Sequence, residues 1–144
     1  VQLNVHAERL FSDPRFTTSP TEARLDVVAR TVAELGFRSG ATFDDLAAAA
    51  RTQGLAHCPL ELGPHLRLQF TEPVEATSDP ARRGSAPPGA LTIASAPPPD
   101  ADDAPWGFYL RRVDGALWLR GYVCWSGHVW APEDVLVFVR AACL

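Results

Sequence analysis

The sequence predicts one α+β domain, in which an N-terminal helical pair packs on a four- to five-stranded antiparallel sheet. Apolar residues recur at helical spacing within residues 19–54 and alternate with polar residues from residue 65 onward. The later connections are short or proline-rich, which favours antiparallel pairing over crossover helices. The chain of 144 residues therefore divides into a poorly patterned segment (1–18), the helical pair (19–54) and the sheet with its proline-rich loops (55–144).

The first segment fits either a short helix or a strand, and Pro14 interrupts it. The first clear helix is predicted between Ser19 and Gly36. Ser19 is a good N-cap, Pro20 suits the first turn, and Glu22 completes a capping box. The apolar stripe of this helix consists of Leu25, Val28, Val32 and Leu35.

A second helix is predicted over residues 42–54. Thr42 is its N-cap, Asp44 and Asp45 complement the helix dipole, and Gly54 ends it. The residues expected on its inner face are Phe43, Leu46, Ala47 and Ala50.

Strands are predicted after the helices. "HLRLQF" (65–70) alternates, with its leucines and Phe70 on one face and His65, Arg67 and Gln69 on the other. Residues 90–95 form a shorter candidate. Residues 134–140 are apolar on both faces, which is typical of a central strand.

A hairpin is predicted in "FYLRRVDGALWLRGYVCW" (108–125), because Asp114-Gly115 suits a tight two-residue turn. This turn places Leu110 opposite Leu119, Arg111 opposite Trp118 and Tyr109 opposite Arg120. One face then carries the residues expected in the core, Phe108, Leu110, Leu117 and Leu119.

The other face of the hairpin carries Tyr109, Arg111, Trp118 and Arg120, and Tyr122 and Cys124 continue it. One interpretation is sheet surface packed under a loop or helix. The alternative is a contact surface, since aromatic residues and arginine are enriched at interface hot spots. "CPLELGPHLRLQ" adds a rigid segment that displays Glu61, His65 and Arg67. Together with the neighbouring proline-rich loops, these residues predict a binding surface for another protein or a small ligand.

Catalytic motifs are sparse. The sequence has no nucleophile elbow, phosphate-binding loop or dinucleotide fingerprint. A hydrolase or transferase would have to use Cys124 with His128, Cys58 with His65, or Glu61 with His65. A zinc site would need His57 and Cys58 to meet Cys124 and His128. The leading hypothesis is therefore a non-enzymatic binding module without cofactor or metal. The alternatives are a small hydrolase or transferase, and a metal-binding or nucleic-acid-associated domain.

Charge and composition limit the partners. The net charge of −4 gives no attraction to nucleic acid or to an anionic membrane, and all 13 basic residues are arginine. No apolar run approaches the ~18 residues of a membrane span. Three cysteines are too few and too scattered for a disulfide framework, although one bridge stays open. A cytoplasmic bacterial protein is the expectation.

The motif Cys58-Pro59-x-Glu61-x-Gly63-Pro64-x-Leu66-Arg67-Leu68-Gln69, followed later by Trp130-x-Pro132, resembles a group of short bacterial proteins of no established function. The resemblance covers residues ~25–140 loosely, and only the first motif is specific. Some of these proteins carry the name helicase, but this chain has no nucleotide-binding loop and is too short for a motor core. The resemblance implies no activity.

Overall fold

The computed structural model describes residues 2–18, 25–69, 90–96, 105–113, 115–124 and 127–140. The elements in chain order are β1 (Gln2–Leu3), α1 (Val5–Phe11), β2 (Val27–Thr31), β3 (Ala41–Thr42), α2 (Phe43–Thr52), β4 (Leu55–Ala56), α3 (Leu62–Gln69), β5 (Leu91–Ile93), β6 (Gly107–Val113), β7 (Ala116–Tyr122), β8 (Val129–Trp130) and β9 (Val135–Arg140). None of the helices in these ranges has the length and apolar character needed to cross a membrane.

Within the described residues, the main sheet has seven strands in the order β1-β7-β6-β5-β9-β2, with β4 pairing beside β9. It is mixed, because β1 runs parallel to β7 and β5 runs parallel to β9. The prediction of a four- to five-stranded antiparallel sheet is therefore wrong in strand number and in direction. The central position of β9, which has β5 on one side and β2 on the other, confirms the interpretation of its apolar sequence.

Helices lie on both faces of the sheet rather than on one. We call the side that carries α1 and α3 the first face, and the side that carries α2 the second face. Because strand side chains alternate, β9 contributes Val137 and Val139 to the first face and Leu136 and Phe138 to the second. Each face has its own apolar core, so the described chain is a three-layer arrangement.

The predicted first helix is wrong over the part that the structure describes. Val27–Thr31 form β2, which pairs antiparallel with β9, and the chain then turns. Val28, Val32 and Leu35 are buried as expected, but they come from a strand followed by a turn that mimics helical spacing. The proposed cap at Ser19 lies outside the described residues.

The predicted strand at residues 65–70 is also wrong, because Leu62–Gln69 form α3. Two of its residues have the opposite exposure from that expected: Leu68 is 70% exposed, whereas Arg67 is 1% exposed. Leucine, arginine and glutamine are good helix formers, and Pro64 fits the first turn. Phe70 lies outside the described residues.

Three predicted elements are confirmed. Helix α2 begins after Thr42, whose hydroxyl accepts a hydrogen bond from the Asp45 N–H, and all four predicted inner residues are buried. Gly54 follows its end with a positive φ of 75°. The segment 90–95 contains β5, and the hairpin is formed by β6 and β7.

Candidate functional site

The hairpin has the register that the sequence predicts. Val113 pairs with Ala116 around the two-residue turn, and Arg111 pairs with Trp118 and Tyr109 with Arg120. Gly115 in the turn has a φ of 78°, which glycine adopts without strain. The turn therefore fixes which side chains share a face.

The core side of the hairpin points to the first face of the sheet. Leu110 and Leu119 are 0% and 2% exposed, and Phe108 packs with them under α1 and α3. Leu117, nearer the turn, is only half-buried. This burial places the arginines and aromatic rings on the second face.

Four side chains on the second face form what we call the aromatic–arginine patch, namely Tyr109, Arg111, Trp118 and Arg120. The Cζ atom of Arg120 lies 5.3 Å from the Trp118 ring centroid and 5.8 Å from the Tyr109 ring centroid. The guanidinium thus contacts one ring on its own strand and one on the neighbouring strand. All four residues are half-buried, and α2 packs mainly on the distant strands β3 and β4.

The arginines of the patch are held in place, and no carboxylate of the described residues neutralises them. The Nε atoms of Arg111 and Arg120 are sealed from solvent without a hydrogen-bond acceptor in the described part of the chain. Within the same residues neither guanidinium has a carboxylate partner. The solvent-facing part of each group is therefore its terminal Nη end, which is the part that binds carboxylates in a forked geometry.

Arg67 supports the patch from the opposite face of the sheet. Its Nη1 donates to the main-chain carbonyls of Arg111 and Trp118, at 3.4 and 3.2 Å. These two residues are a cross-strand pair, so one guanidinium reaches both strands beneath the patch. Burial lowers the pKa of Arg67. Arg67 is thus part of the interior, and we leave it out of any exposed contact surface.

The sequence-predicted residues Glu61 and His65 are separated from the patch by the sheet. Both belong to the α3 segment, which lies on the first face and packs on β6 and β7. Glu61 is half-buried and His65 is exposed. Their main chains are joined by a hydrogen bond of 3.4 Å from the His65 N–H to the Glu61 carbonyl. These residues therefore do not share a surface with Tyr109, Arg111, Trp118 and Arg120.

Tyr122 is also an interior residue. Its hydroxyl donates to the Ile93 carbonyl at 3.1 Å, and its ring meets Trp130 edge-on at 5.9 Å. Burial raises the pKa of the Tyr122 phenol well above its ordinary value. A Cβ on Gly107 would lie 3.0 Å from the Tyr122 hydroxyl, so a glycine there gives the phenol its space. Tyr122 anchors β7 to β5 and is not part of the patch.

The cysteine and histidine candidates have different immediate contacts, although, besides burial, both Cys58 and Cys124 raise the pKa of the Tyr122 phenol. Cys58 is buried, its Sγ lies 3.3 Å from the Val137 carbonyl, and burial raises the pKa of its thiol to about 12. The His57 ring stacks on Phe43, and the His128 ring meets Trp130 edge-on. Among the described residues there is no group of three or more potential metal ligands. Cys58 is a free thiol, and Cys124 is buried.

A small depression lies where α2 meets β4 and β9, with a volume of about 170 Å³. Its walls are mostly apolar, with Arg51 and His57 as the polar contributors; the lining residues are Ala47, Ala50, Arg51, Leu55, Ala56, His57 and Phe138. The Nε2 atom of His57 is sealed and has no hydrogen-bond partner in the described structure. Burial and the nearby Arg51 charge lower the pKa of His57, so its imidazole is neutral at pH 7.

Two features of this site have no signal in the sequence pattern. The first is the burial of Arg67 in α3, because apolar and polar residues alternate in its segment and this pattern predicts an exposed arginine. The side chain of Asn4, which holds β7 at Gly121, comes from a segment without clear periodicity.

Comparisons with protein-family models, with curated proteins and with solved structures give no match to this chain.

Proposed function

We propose that this chain is a non-enzymatic interaction module that binds a partner protein through the aromatic–arginine patch. The observation that carries the proposal is the position of Arg120. Its guanidinium lies against Trp118 and Tyr109 at 5.3 and 5.8 Å and has no carboxylate partner among the described residues. A cation that is oriented by its neighbours and not neutralised is suited to an incoming anionic group.

The composition of the patch supports this role. Tyrosine, tryptophan and arginine are the residue types that most often dominate binding energy at interfaces. Tyrosine and tryptophan offer large contact areas at a small loss of conformational entropy. Here they stand on a hairpin whose other side packs Phe108, Leu110 and Leu119 into the core, and Arg67 holds the two strands together beneath them. Such preorganisation reduces the entropy lost on binding.

The enzymatic alternative has weaker support. A thiol with a pKa of about 12 is protonated at neutral pH, which removes Cys58 as a nucleophile. Glu61 and His65 belong to a helix segment on the first face, and neither lines the depression beside α2. A nucleic-acid partner is disfavoured by the net charge of −4. It is also disfavoured because Arg120 already covers part of both rings that bases would stack on.

The test is a quantitative affinity purification from extract with three forms of the protein. The first is wild type and the second is Trp118→Ala with Arg120→Ala. The third is a matched control, Leu68→Ala with Arg38→Ala, which removes one exposed apolar group and one cation away from the patch. Circular dichroism first establishes that all three are folded.

We expect a set of proteins that is enriched with wild type and with the control and lost with the patch variant. Recovery of the same proteins at the same level with the patch variant would overturn the proposal.

A further inference from the structure

We infer that the aromatic–arginine patch recognises an extended acidic peptide segment that carries carboxylates at alternating positions. The inference rests on the proposed function and specifies the partner. It starts from the places of the two arginines in the hairpin. Arg111 pairs with Trp118, and Arg120 is two residues further along the strand of Trp118. Arg111 and Arg120 are therefore diagonal neighbours on one face, with a separation of about 7–8 Å at the backbone.

This separation matches one repeat of an extended peptide. A strand rises about 3.3–3.4 Å per residue, so side chains at positions i and i+2 point the same way about 6.7 Å apart. Two acidic residues separated by one residue can therefore each meet one guanidinium. Two adjacent acidic residues point to opposite sides of the strand, and only one of them faces the patch.

The state of the guanidinium groups favours carboxylates as the ligand. Because the Nε atoms of Arg111 and Arg120 are sealed, each group presents its Nη end. The fork of a guanidinium matches the two oxygens of a carboxylate, and such charge-assisted contacts are roughly twice as strong as neutral ones. Trp118 and Tyr109 flank Arg120 and orient its guanidinium toward an incoming carboxylate.

The overall charge of the chain favours a short acidic segment over a polyanion. At a net charge of −4, the repulsion of a partner grows with the number of negative charges that it carries. A pair of carboxylates meets two cations locally and adds little repulsion elsewhere. A single-stranded nucleic acid has one charge per nucleotide and would also need ring faces that Arg120 contacts.

The inference is tested by two-dimensional NMR titration, which detects weak binding, with short serine-rich peptides blocked at both ends. The first peptide has two glutamates separated by one residue, the second has the same composition with the glutamates adjacent, and the third has glutamines in their place. An oligo-thymidine strand serves as the fourth probe. We expect the first peptide to bind most tightly, with shifts confined to β6 and β7.

Two variants sharpen the test. Arg111→Gln is expected to weaken binding of the first peptide about tenfold, which corresponds to one lost charge-assisted contact, and to abolish its advantage over the second peptide. Arg38→Gln, which removes a cation outside the patch, is expected to leave both affinities unchanged.

The outcomes separate this inference from the proposed function. Equal affinity for the first two peptides, or binding of oligo-thymidine alone, overturns the inference. If none of the four probes binds, the inference is also overturned. The proposed function still stands in that case if the affinity purification has succeeded. Loss of peptide binding in the variant with Trp118→Ala and Arg120→Ala supports the inference and the proposed function. If this variant binds the peptide as wild type does, the inference and the proposed function are both overturned.

Discussion

Asn4 binds the main chain of Gly121 through its side-chain amide, as if it were one more residue of the neighbouring strand. Its Nδ2 donates to the Gly121 carbonyl at 3.1 Å, and its Oδ1 accepts from the Gly121 N–H at 2.9 Å. The same Oδ1 accepts from the Ala7 N–H at 2.8 Å and so caps α1. One side chain thus extends the pairing of β1 with β7 and fixes the start of the helix that follows.

We predict that Asn4→Ala lowers the free energy of unfolding by about 1–3 kcal/mol, because it removes a helix cap and two strand contacts. Asn4→Asp keeps the Oδ1 acceptor and the helix cap but sets a carboxylate oxygen against the Gly121 carbonyl, so it should also lower the free energy of unfolding. Urea denaturation followed by circular dichroism measures both. A change within about 0.5 kcal/mol for Asn4→Ala would mean that water replaces the amide without loss.

Gly63 and Phe108 provide a second prediction, on the first face of the sheet. A Cβ at Gly63 would lie 2.6–2.8 Å from the ring and Cβ atoms of Phe108, so α3 can approach β6 only because this position is glycine. Gly63→Ala is expected to lower the free energy of unfolding by about 1–3 kcal/mol through overpacking. It should also move α3 and with it the Arg67 contacts under the patch.

A double-mutant cycle checks this cause. In a Phe108→Ala background, which removes the two nearest ring atoms and keeps only Cβ, the cost of Gly63→Ala should fall by more than about 0.5 kcal/mol. Additive costs would show that the penalty comes from helix propensity or the unfolded chain and not from the ring.

The parts of the fold that could be predicted from the sequence are those set by local chemistry. The hairpin register follows from a turn that accepts few residue types, and each pair beyond it follows by counting. Helix α2 has its cap, its acidic first turn and its glycine stop within a dozen residues. The orientation of the patch was predicted because it needed only these local rules and strand alternation.

The parts that could not be predicted are set by distant contacts. β2 is a strand because its valines pair with β9, more than a hundred residues later, although the spacing of its apolar residues fits a helix. Arg67 is buried because carbonyls of the hairpin accept its hydrogen bonds, which no hydropathy rule anticipates. The predicted site residues therefore include two that are buried, Arg67 and Tyr122, and two that lie across the sheet from the patch, Glu61 and His65.

The stability of the protein should fall as the pH drops through the titration range of histidine. The pKa of His57 is lowered by burial and by Arg51, and that of His128 is lowered by burial. In the unfolded chain both return to about 6.5, so below this pH the unfolded state binds protons that the folded state does not. The free energy of unfolding therefore keeps its full value above about pH 6.5. It decreases as the pH falls below about 6.5, until the pH reaches the pKa values that the two histidines have in the folded state.

His57→Phe isolates the contribution of that residue, because a phenyl ring can keep the stack on Phe43 and cannot titrate. We expect a smaller loss of stability between about pH 7.5 and 5.5 in this variant than in wild type, measured by urea denaturation at each pH. His65→Gln, which removes an imidazole at an exposed position of α3, is the matched control. If the free energy of unfolding of His57→Phe changes with pH as steeply as that of wild type, other groups cause the pH dependence.

The last prediction concerns the reactivity of Cys58. Its thiol is buried, contacts the Val137 carbonyl and has a pKa of about 12, so almost no thiolate exists at neutral pH. In a Cys143→Ser background, Cys58 should react with a thiol reagent only as fast as the folded structure around it opens. Urea should increase this rate of opening steeply. Mass spectrometry after digestion assigns the label to Cys58 or Cys124. Rapid labelling of Cys58 in the folded protein at pH 7 would contradict its burial and restore cysteine chemistry as an alternative to the binding role.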